Sequence, residues 1–290
     1  MINGLILLDK PKNISSNQAL YIVKKKISPK KAGIVGILDP LASGMLPIVL
    51  NEGTKLARYI ESQDKEYLVI AKLGYTSTTG DGEGIITATK KSILMKLTKK
   101  SIQENVNKFL GPQKQVPPMH SGLKVNGVKL YKLARQGISI DRKARNINIS
   151  KLQILSIEDD EITLKISCSK GTYIRTLIEA IGESIGSGAY TRELRRIRIG
   201  SLNEDSMISL DDVSVDQDCI IPLEKLIEKI VSISITDQEW KLLKFGQTVY
   251  TDIYRNIDEI AIKNKKSDLI GLGTIINNYI HVKRLINFDE

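Results

Sequence analysis

The sequence predicts an α+β fold with a larger first unit and a smaller second one. Three observations lead to this prediction: strand-like segments that alternate apolar and polar residues, helix-like segments with apolar residues three and four positions apart, and a change in character from residue 220 onward. A chain of 290 residues is long enough to bury a substantial core without disulfide bonds.

The first predicted helix covers residues 16–27. Leu20, Val23 and Ile27 lie at helical spacing, with Ser16 as the expected N-cap, and three consecutive lysines at residues 24–26 give the helix a basic side. Lys31 extends this charge beyond the helix. Two interpretations stay open for it, guidance of phosphates and a solvated, lysine-rich helix end.

Two strands and a second helix follow. Residues 66–73 alternate as a strand, and Tyr67 begins it, so its ring either packs in the core or faces a cleft at the end of the strand. Residues 162–168 form the second predicted strand, which ends at Ser169-Lys170-Gly171. Thr172 is then the expected cap of a helix with an apolar stripe from residue 174 to residue 185.

Arg175 falls in the first turn of that helix, where the positive end of the helix dipole disfavours a cation. This placement indicates a carboxylate partner, and Asp39 is the candidate, because a guanidinium can orient a carboxylate and keep it ionised. The alternative is an ordinary surface arginine, which tolerates an unfavourable position.

The residues after 220 predict a small β-rich unit. Residues 240–246 have the pattern of a short helix that ends at a glycine, and residues 259–263 and 269–282 are strand-like.

Composition limits the classes of partner and site. The net charge of +10 and the pI near 9.3 favour a polyanion such as nucleic acid or an anionic membrane surface, although lysine is abundant throughout the sequence. No apolar run approaches the roughly 18 residues of a spanning helix, and no signal peptide is recognisable, so we expect a cytoplasmic protein that does not enter membranes. The two cysteines and two histidines are too scattered to indicate a metal site.

The most informative segment is residues 36–47, which read Gly-Ile-Leu-Asp-Pro-Leu-Ala-Ser-Gly-Met-Leu-Pro. Glycines and prolines constrain the loop on both sides of Asp39, and its leucines can anchor it to a core. A short carboxylate on such a loop suits the presentation of a reactive group, while an Asp-Pro turn is the ordinary alternative.

This segment closely resembles the signature of TruB-type tRNA pseudouridine synthases, Gly-x-Leu-Asp-Pro-x-Ala-x-Gly-x-Leu-Pro. Further blocks match in the same order, from Gly-Leu-Ile-Leu-Leu-Asp-Lys-Pro at residues 4–11 to Leu-Arg-Arg at residues 194–196. The resemblance implies a catalytic domain of pseudouridine synthase type over residues 1–225, with a mixed, mainly antiparallel sheet. It also implies a small, PUA-like RNA-binding domain over residues 226–290.

The resemblance also implies the site. Asp39 corresponds to the catalytic aspartate, Tyr67 to the tyrosine that stacks on the target base, and Arg175 to the arginine that pairs with the aspartate. Asp81 corresponds to an acidic partner of that arginine, and we assign it to substrate binding. The other expected substrate-binding residues are Tyr173, Leu194, Lys10, Lys31 and Lys124, and the two arginines of the Leu-Arg-Arg segment are expected to meet phosphate.

The implied activity is the isomerisation of the T-arm uridine at position 55 of tRNA, by a monomer without cofactor or metal. Asp39 either adds covalently to the sugar or removes a ribose proton to give a glycal, and the sequence does not choose between these routes. Two rivals are a non-catalytic RNA-binding protein and a glycosidase or nucleosidase, which usually needs paired carboxylates.

One residue departs from the family pattern. Most members have histidine in the Gly-His-x-Gly segment before the aspartate, whereas this chain has Gly33-Ile34-Val35-Gly36. We expect Ile34 to supply apolar packing, and we expect its effect to fall on RNA binding more than on turnover.

Overall fold

The structure is a computed structural model that describes residues 2–89, 97–215 and 219–286. Its strands form two larger sheets and two short hairpins. The strands are β1 Gly4–Lys10, β2 Ala32–Ile34, β3 Ser43–Leu50, β4 Lys65–Leu73, β5 Tyr75–Ser77, β6 Ile86–Ala88, β7 Gly111–Gln115, β8 Lys124–Val125, β9 Val128–Lys129, β10 Arg145–Glu158, β11 Glu161–Cys168, β12 Ala189–Ile199, β13 Val231–Ser234, β14 Val249–Tyr250, β15 Ile257–Lys263, β16 Leu269–Ile276 and β17 Tyr279–Leu285. The α-helices of the described residues are α1 Ser16–Ile27, α2 Ala57–Glu61, α3 Lys99–Asn107, α4 Leu130–Ala134, α5 Ile174–Ile185 and α6 Asp237–Lys244.

The first sheet has eight strands in the order β1-β3-β12-β4-β11-β10-β7, with β2 beside β3. Strands β12 and β3 are parallel, and every other neighbouring pair in this sheet is antiparallel. The expected α+β fold with a mixed, mainly antiparallel sheet is therefore confirmed. Strand β4 lies near the middle of this sheet. Both of its edges are hydrogen-bonded to neighbouring strands, one to β11 and the other to β12.

The helix α5 packs against β12 and contributes its apolar stripe to the main hydrophobic core. The stripe predicted from the sequence is buried as a continuous face, formed by Ile174, Leu177, Ile178, Ile181 and Ile185. Burial of such side chains stabilises a fold by about 1.5–3 kcal/mol each. The packing also fixes the first turn of α5, and with it Arg175, above the sheet.

Both predicted helix caps were wrong by one position. Ser15 is the N-cap of α1, and Ser15 and Gln18 form a capping box. The hydroxyl of Ser16 instead accepts a hydrogen bond from Leu38 N at 2.9 Å and donates one to Leu38 O at 2.7 Å. Tyr173 occupies the N-cap position of α5, and the hydroxyl of Thr172 donates to Ser169 O. In each case the hydroxyl forms a hydrogen bond with a backbone group outside the helix instead of with the first turn of the helix.

The second sheet has five strands in the order β13-β15-β16-β17-β14. The single strand-like segment expected over residues 269–282 is in fact a hairpin of β16 and β17. The chain turns at Asn277 and Asn278, whose φ angles are 50° and 67°. Asparagine tolerates this left-handed conformation better than most residues, so a turn was readable from the Asn-Asn pair.

A buried apolar cluster joins the second sheet to residues beside the first. Leu56 and Leu223 pack there with Leu269 and Leu272, and all four are almost completely buried. The guanidinium of Arg58 also pairs with Glu259 of β15. None of the helices in the described part of the chain combines the length and apolar character needed to cross a membrane.

Candidate active site

The loop between β2 and β3 presents Asp39 at the edge of the first sheet. The buried Leu38 anchors it, through its side chain in the core and its backbone bonds to Ser16. The amide of Ala42 donates to Asp39 O at 3.1 Å, and the amide of Asn13 donates to Pro40 O at 2.8 Å. These bonds hold the loop from beneath, while the side chain of Asp39 stays 37% exposed. A reacting group therefore has access to the carboxylate.

The ion pair expected between Asp39 and Arg175 is present. Nε of Arg175 lies 3.0 Å from Oδ2 of Asp39. Arg175 comes from the start of α5, and its side chain is largely buried. The unfavourable position at the positive end of the helix is thus offset by a direct carboxylate contact.

Nε of Arg175 contacts Asp39, and the two terminal nitrogens of the guanidinium have other partners. Nη1 donates to Thr79 O at 2.7 Å and lies 3.4 Å from Oδ2 of Asp81. Nη2 donates to His120 O at 2.7 Å. Because these contacts fix the plane of the guanidinium, they also fix the direction from which Asp39 is held.

Asp81 lies beneath this arrangement, with its side chain only 2% exposed. It accepts hydrogen bonds from the hydroxyl of Thr79 at 2.6 Å and from the amide of Glu83 at 3.1 Å. The expected pairing with Arg175 is present, but a direct contact with substrate is not supported, because the carboxylate is enclosed by protein. Asp81 positions Arg175 instead.

Burial raises the pKa of the Asp39 carboxyl above its ordinary value. The Arg175 guanidinium and the Lys10 ammonium lower this pKa, and the Asp81 carboxylate raises it. Burial thus leaves Asp39 easier to protonate than a free aspartate, while Arg175 pairs with it when it is ionised.

The prediction that Lys10 contacts substrate is not supported. Lys10 is 0% exposed, and its ammonium donates to Pro11 O at 2.7 Å, Ile14 O at 2.8 Å and Pro40 O at 3.3 Å. Burial lowers its pKa to about 8, against the attraction of Asp39. Lys10 therefore supports the Asp39 loop from inside, through the carbonyl of the residue next to Asp39.

Tyr67 is buried near the start of β4, opposite Arg196 in the register between β4 and β12. The Arg196 guanidinium and the Asp39 carboxylate both act on the charge of its phenol group. Burial raises the pKa of the Tyr67 phenol, whereas Arg196 lowers it. Tyr67 is therefore near enough to Asp39 for the carboxylate to influence its pKa, while its side chain is buried in the core.

The remaining predicted residues are spread around this centre. Tyr173 is partly exposed at the N-cap of α5, and its backbone exchanges two hydrogen bonds with the side chain of Gln115. Leu194 is buried in the main core, opposite Val69 of β4. Lys31 and Lys124 are exposed, Lys31 just before β2 and Lys124 at the start of β8.

The two arginines expected to meet phosphate have other contacts. Arg196 is buried and donates to the carbonyls of Gly36 and Met45. Arg195 forms a two-bond pair with the carboxylate of Asp9, with both N–O distances at 2.9 Å. A contact between Arg196 and phosphate is not supported in this arrangement.

Sequence reasoning also passed over Glu83. Its carboxyl lies near Asp39 and Asp81, and burial and the repulsion of those two carboxylates raise its pKa. The spacing Asp-x-Glu in the glycine-rich segment 80–84 was the available signal, but the segment alone indicated only a solvated turn.

Ile34 packs against the main hydrophobic core, as expected for an apolar residue at this position. It ends β2, opposite Ile48 of β3, and lies five residues before Asp39. Ile37 lies between Ile34 and Asp39 in the chain and is exposed. Its terminal methyl lies close to Gly122. Gly122 follows His120 by two residues, and the carbonyl of His120 accepts a hydrogen bond from Arg175.

Across the described residues, no group of three or more histidine, cysteine, aspartate or glutamate side chains has a geometry that could hold a metal ion. The clustered carboxylates around Asp39 face a guanidinium and an ammonium instead.

Comparisons with known proteins agree over nearly the whole chain. Residues 24–174 match the N-terminal domain model of the TruB family of pseudouridylate synthases, and residues 175–229 match the C-terminal domain model of tRNA pseudouridylate synthase B. A tRNA pseudouridine synthase B of Coxiella burnetii (strain Dugway 5J108-111) is 38% identical over 295 residues, covering 98% of this chain and 95% of the relative. That of Nitrosococcus oceani is 45% identical over 214 residues, covering 74% and 69%.

Among solved structures, a chain from the crystal structure of a Cbf5-Nop10-Gar1 complex superposes with a TM-score of 0.72 at 25% identity. The match covers 98% of this chain and 85% of that chain.

Proposed function

The chain belongs to the TruB family of pseudouridylate synthases, and on this premise we propose that it isomerises the T-arm uridine at position 55 of tRNA to pseudouridine. The observation that carries the proposal is the ion pair between the partly exposed Asp39 and the buried Arg175, which Asp81 also contacts. Relatives that share 38% of their residues with the full chain are tRNA pseudouridine synthases B.

Asp39 is the proposed catalytic carboxylate. In this isomerisation the bond between ribose C1′ and uracil N1 breaks, a bond from C1′ to C5 forms, the proton leaves C5, and N1 gains one. Atom count and redox state do not change, so the reaction requires no cofactor. Covalent addition to the sugar and removal of a ribose proton both require an ionised carboxylate. The guanidinium of Arg175, 3.0 Å away, favours that form.

Tyr67 and Tyr173 are proposed to receive the target base after it leaves its stack. Extrusion of a base from a folded RNA costs a few kcal/mol, which stacking on an aromatic ring can offset. The partial exposure of Tyr173 beside Arg175 supports a contact with substrate, as does the nearness of Tyr67 to Asp39.

We further propose a division into a catalytic domain over residues 1–225 and a PUA-like RNA-binding domain over residues 226–290. The separate five-stranded sheet, which begins at Val231, supports this division. The net charge of +10 supports binding of the RNA backbone at the exposed Lys31 and Lys124. We propose that the protein acts in the cytoplasm as a monomer.

The test is to incubate unmodified tRNA with the wild-type protein and with Asp39→Asn and Asp39→Ala, and to map pseudouridine chemically at each position. We expect pseudouridine at position 55 with the wild type, and a fall of at least ~10³-fold in rate with either variant. The asparagine variant keeps the shape of the side chain and removes its charge, so a loss of rate there is a loss of chemistry rather than of folding.

An Asp252→Asn variant is the matched control, because Asp252 is an exposed carboxylate outside the first sheet. It should retain the wild-type rate. Free uracil should not be released, since the base stays attached to the ribose. Release of uracil would indicate a glycosidase, and RNA binding without pseudouridine would indicate a non-catalytic RNA-binding protein.

A further inference from the structure

Arg196 is a buried cation without a carboxylate partner among the described residues. It lies on β12, is 2% exposed, and its guanidinium donates to two backbone carbonyls. Enclosing a charge in protein is costly unless hydrogen bonds satisfy it. Buried charges in proteins are usually paired with an opposite charge, whereas the guanidinium of Arg196 is held by carbonyls.

The two carbonyls that accept hydrogen bonds from Arg196 belong to the two ends of the Asp39 loop. Nη2 donates to Gly36 O at 2.7 Å, and Nε donates to Met45 O at 2.8 Å. Gly36 precedes Asp39 by three residues and Met45 follows it by six. One planar guanidinium thus connects the entrance and the exit of the loop that carries the carboxylate.

The local glycines make room for this contact. Gly44 pairs with Arg196 across the parallel β3–β12 junction, and a Cβ on Gly44 would lie 2.3 Å from Arg196 O. A Cβ on Gly36, whose φ is 73°, would lie 3.2 Å from Nη1 of Arg196. The loop glycines therefore allow the backbone to approach Arg196 closely, in addition to any freedom that they give the loop itself.

Arg196 also lies beside Tyr67, and its guanidinium lowers the pKa of the Tyr67 phenol. The β4–β12 register places Tyr67 directly opposite Arg196, so the two side chains lie on the same face of the sheet. A guanidinium has no acceptor, so it can act on the phenol oxygen of Tyr67 only as a donor and a positive charge.

We propose that Arg196 is a positioning residue of the isomerisation, which holds the Asp39 loop and the Tyr67 hydroxyl in a fixed mutual geometry. It touches neither the carboxylate nor the substrate, and it acts through the two groups that do. This proposal rests on the proposed function, since it assigns Asp39 and Tyr67 to the same reaction.

The test compares Arg196→Lys and Arg196→Met with Lys65→Met as the matched control. Lys65 is a buried cation on β4, two residues before Tyr67, and its bonds within the described part of the chain go to Glu61 O and Gln63 O, outside the Asp39 loop. A lysine at position 196 keeps the charge but donates from a single nitrogen, so it cannot span Gly36 O and Met45 O as the separate Nη2 and Nε of Arg196 do. Single-turnover rates at saturating tRNA and the Kd for tRNA are measured for protein shown to be folded.

We expect Arg196→Lys to lower the rate about 10- to 100-fold, with Kd within about two-fold of the wild type, because a small displacement of reacting groups has effects of this size. In a Tyr67→Phe background the same change should have an effect at least about three-fold smaller, since substitutions of residues that interact are not additive. Lys65→Met should lower stability and leave the rate of the folded protein unchanged. An unchanged rate for Arg196→Lys, or the same factor in both backgrounds, would overturn the proposal.

A second measurement does not depend on activity. With tyrosine labelled at 13Cζ, the resonance missing in Tyr67→Phe identifies Tyr67 among the ten tyrosines. We expect it to shift in Arg196→Met and to stay in place in Lys65→Met. A wild-type protein that forms no pseudouridine counts against the proposed function, whereas an unshifted resonance counts against the role of Arg196 whatever the activity.

Discussion

At the scale of single residues, the site combines the accessible carboxylate of Asp39 with several enclosed charges. Asp39 is reachable, while Arg175, Asp81 and Lys10 are buried around it. Each enclosed group is satisfied by carbonyls or by an opposite charge. A buried polar network in which every group has a partner holds its members in one arrangement. Removal of one member is costly because it leaves the others buried without a partner.

The pH dependence of the reaction tests this network. Burial raises the pKa of Asp39, and the reaction requires the ionised form, so kcat should fall as the pH drops through a pKa above the ordinary value of 3.8. Removing the charge of Arg175 takes away the largest influence that lowers this pKa. In Arg175→Gln the acid limb of the kcat profile should therefore move to higher pH.

The measurement is kcat between pH 4 and pH 8 at saturating tRNA, with circular dichroism at each pH to confirm folding. Arg175→Lys keeps a positive charge and is the control, with a smaller shift expected. An acid limb of Arg175→Gln that stays in place or moves to lower pH would mean that Arg175 does not hold the charge of Asp39.

At the scale of elements, the sequence predicted interiors better than ends. The helix expected over residues 16–27 is α1, and the strand expected over residues 66–73 is β4 with one further residue. Apolar periodicity extends over several turns or residues, so it determines the middle of an element. Ends depend on which backbone group a single hydroxyl bonds, and this is why Ser16 and Thr172 were misassigned as caps.

Gly182 shows how packing can reverse an element's intrinsic preference. It lies inside α5, where alanine would ordinarily favour the helix by nearly 1 kcal/mol. Here a Cβ would lie 2.2 Å from Ala189 N and 2.5 Å from Ala189 Cβ, at the start of β12. We expect Gly182→Ala to lower the free energy of unfolding by about 1–3 kcal/mol, because α5 must move away from the sheet.

Urea unfolding followed by circular dichroism measures this effect. Glu183→Ala changes the adjacent, exposed residue of the same helix and should stay within about 0.5 kcal/mol of the wild type. A stabilised Gly182→Ala would show that helix propensity outweighs the close contact with β12.

At the scale of the whole molecule, the sheet order brings distant segments together. Strand β4 pairs with β12, more than a hundred residues later in the chain, and β12 continues the sheet to β3. This order places Tyr67, Arg196 and the Asp39 loop side by side. The chain has a net charge of +10, and Lys31 is exposed just before the strand that leads to Asp39.

The charge predicts how RNA binding depends on salt. If Lys31 contacts a phosphate, Lys31→Gln should weaken tRNA binding and reduce the slope of log K against log salt concentration by about 1. The rate at saturating tRNA should not change. Fluorescence titrations between low and moderate salt provide the slope, with Lys151→Gln on β10 as an exposed control. Equal slopes for the wild type and Lys31→Gln would place the RNA elsewhere.

The sequence by itself determined the family, the α+β class and the interiors of the main elements, which follow from a loop with a specific signature and from apolar periodicity. The unfavourable helix-end position of Arg175 indicated a carboxylate partner, and the family resemblance implied that this partner is Asp39. Only the tertiary structure decided that Lys10, Asp81 and Arg196 are enclosed rather than exposed to RNA. Burial depends on which strands become neighbours, and no local property of a charged residue indicates whether its partner will be a phosphate, a carboxylate or a carbonyl of a distant strand.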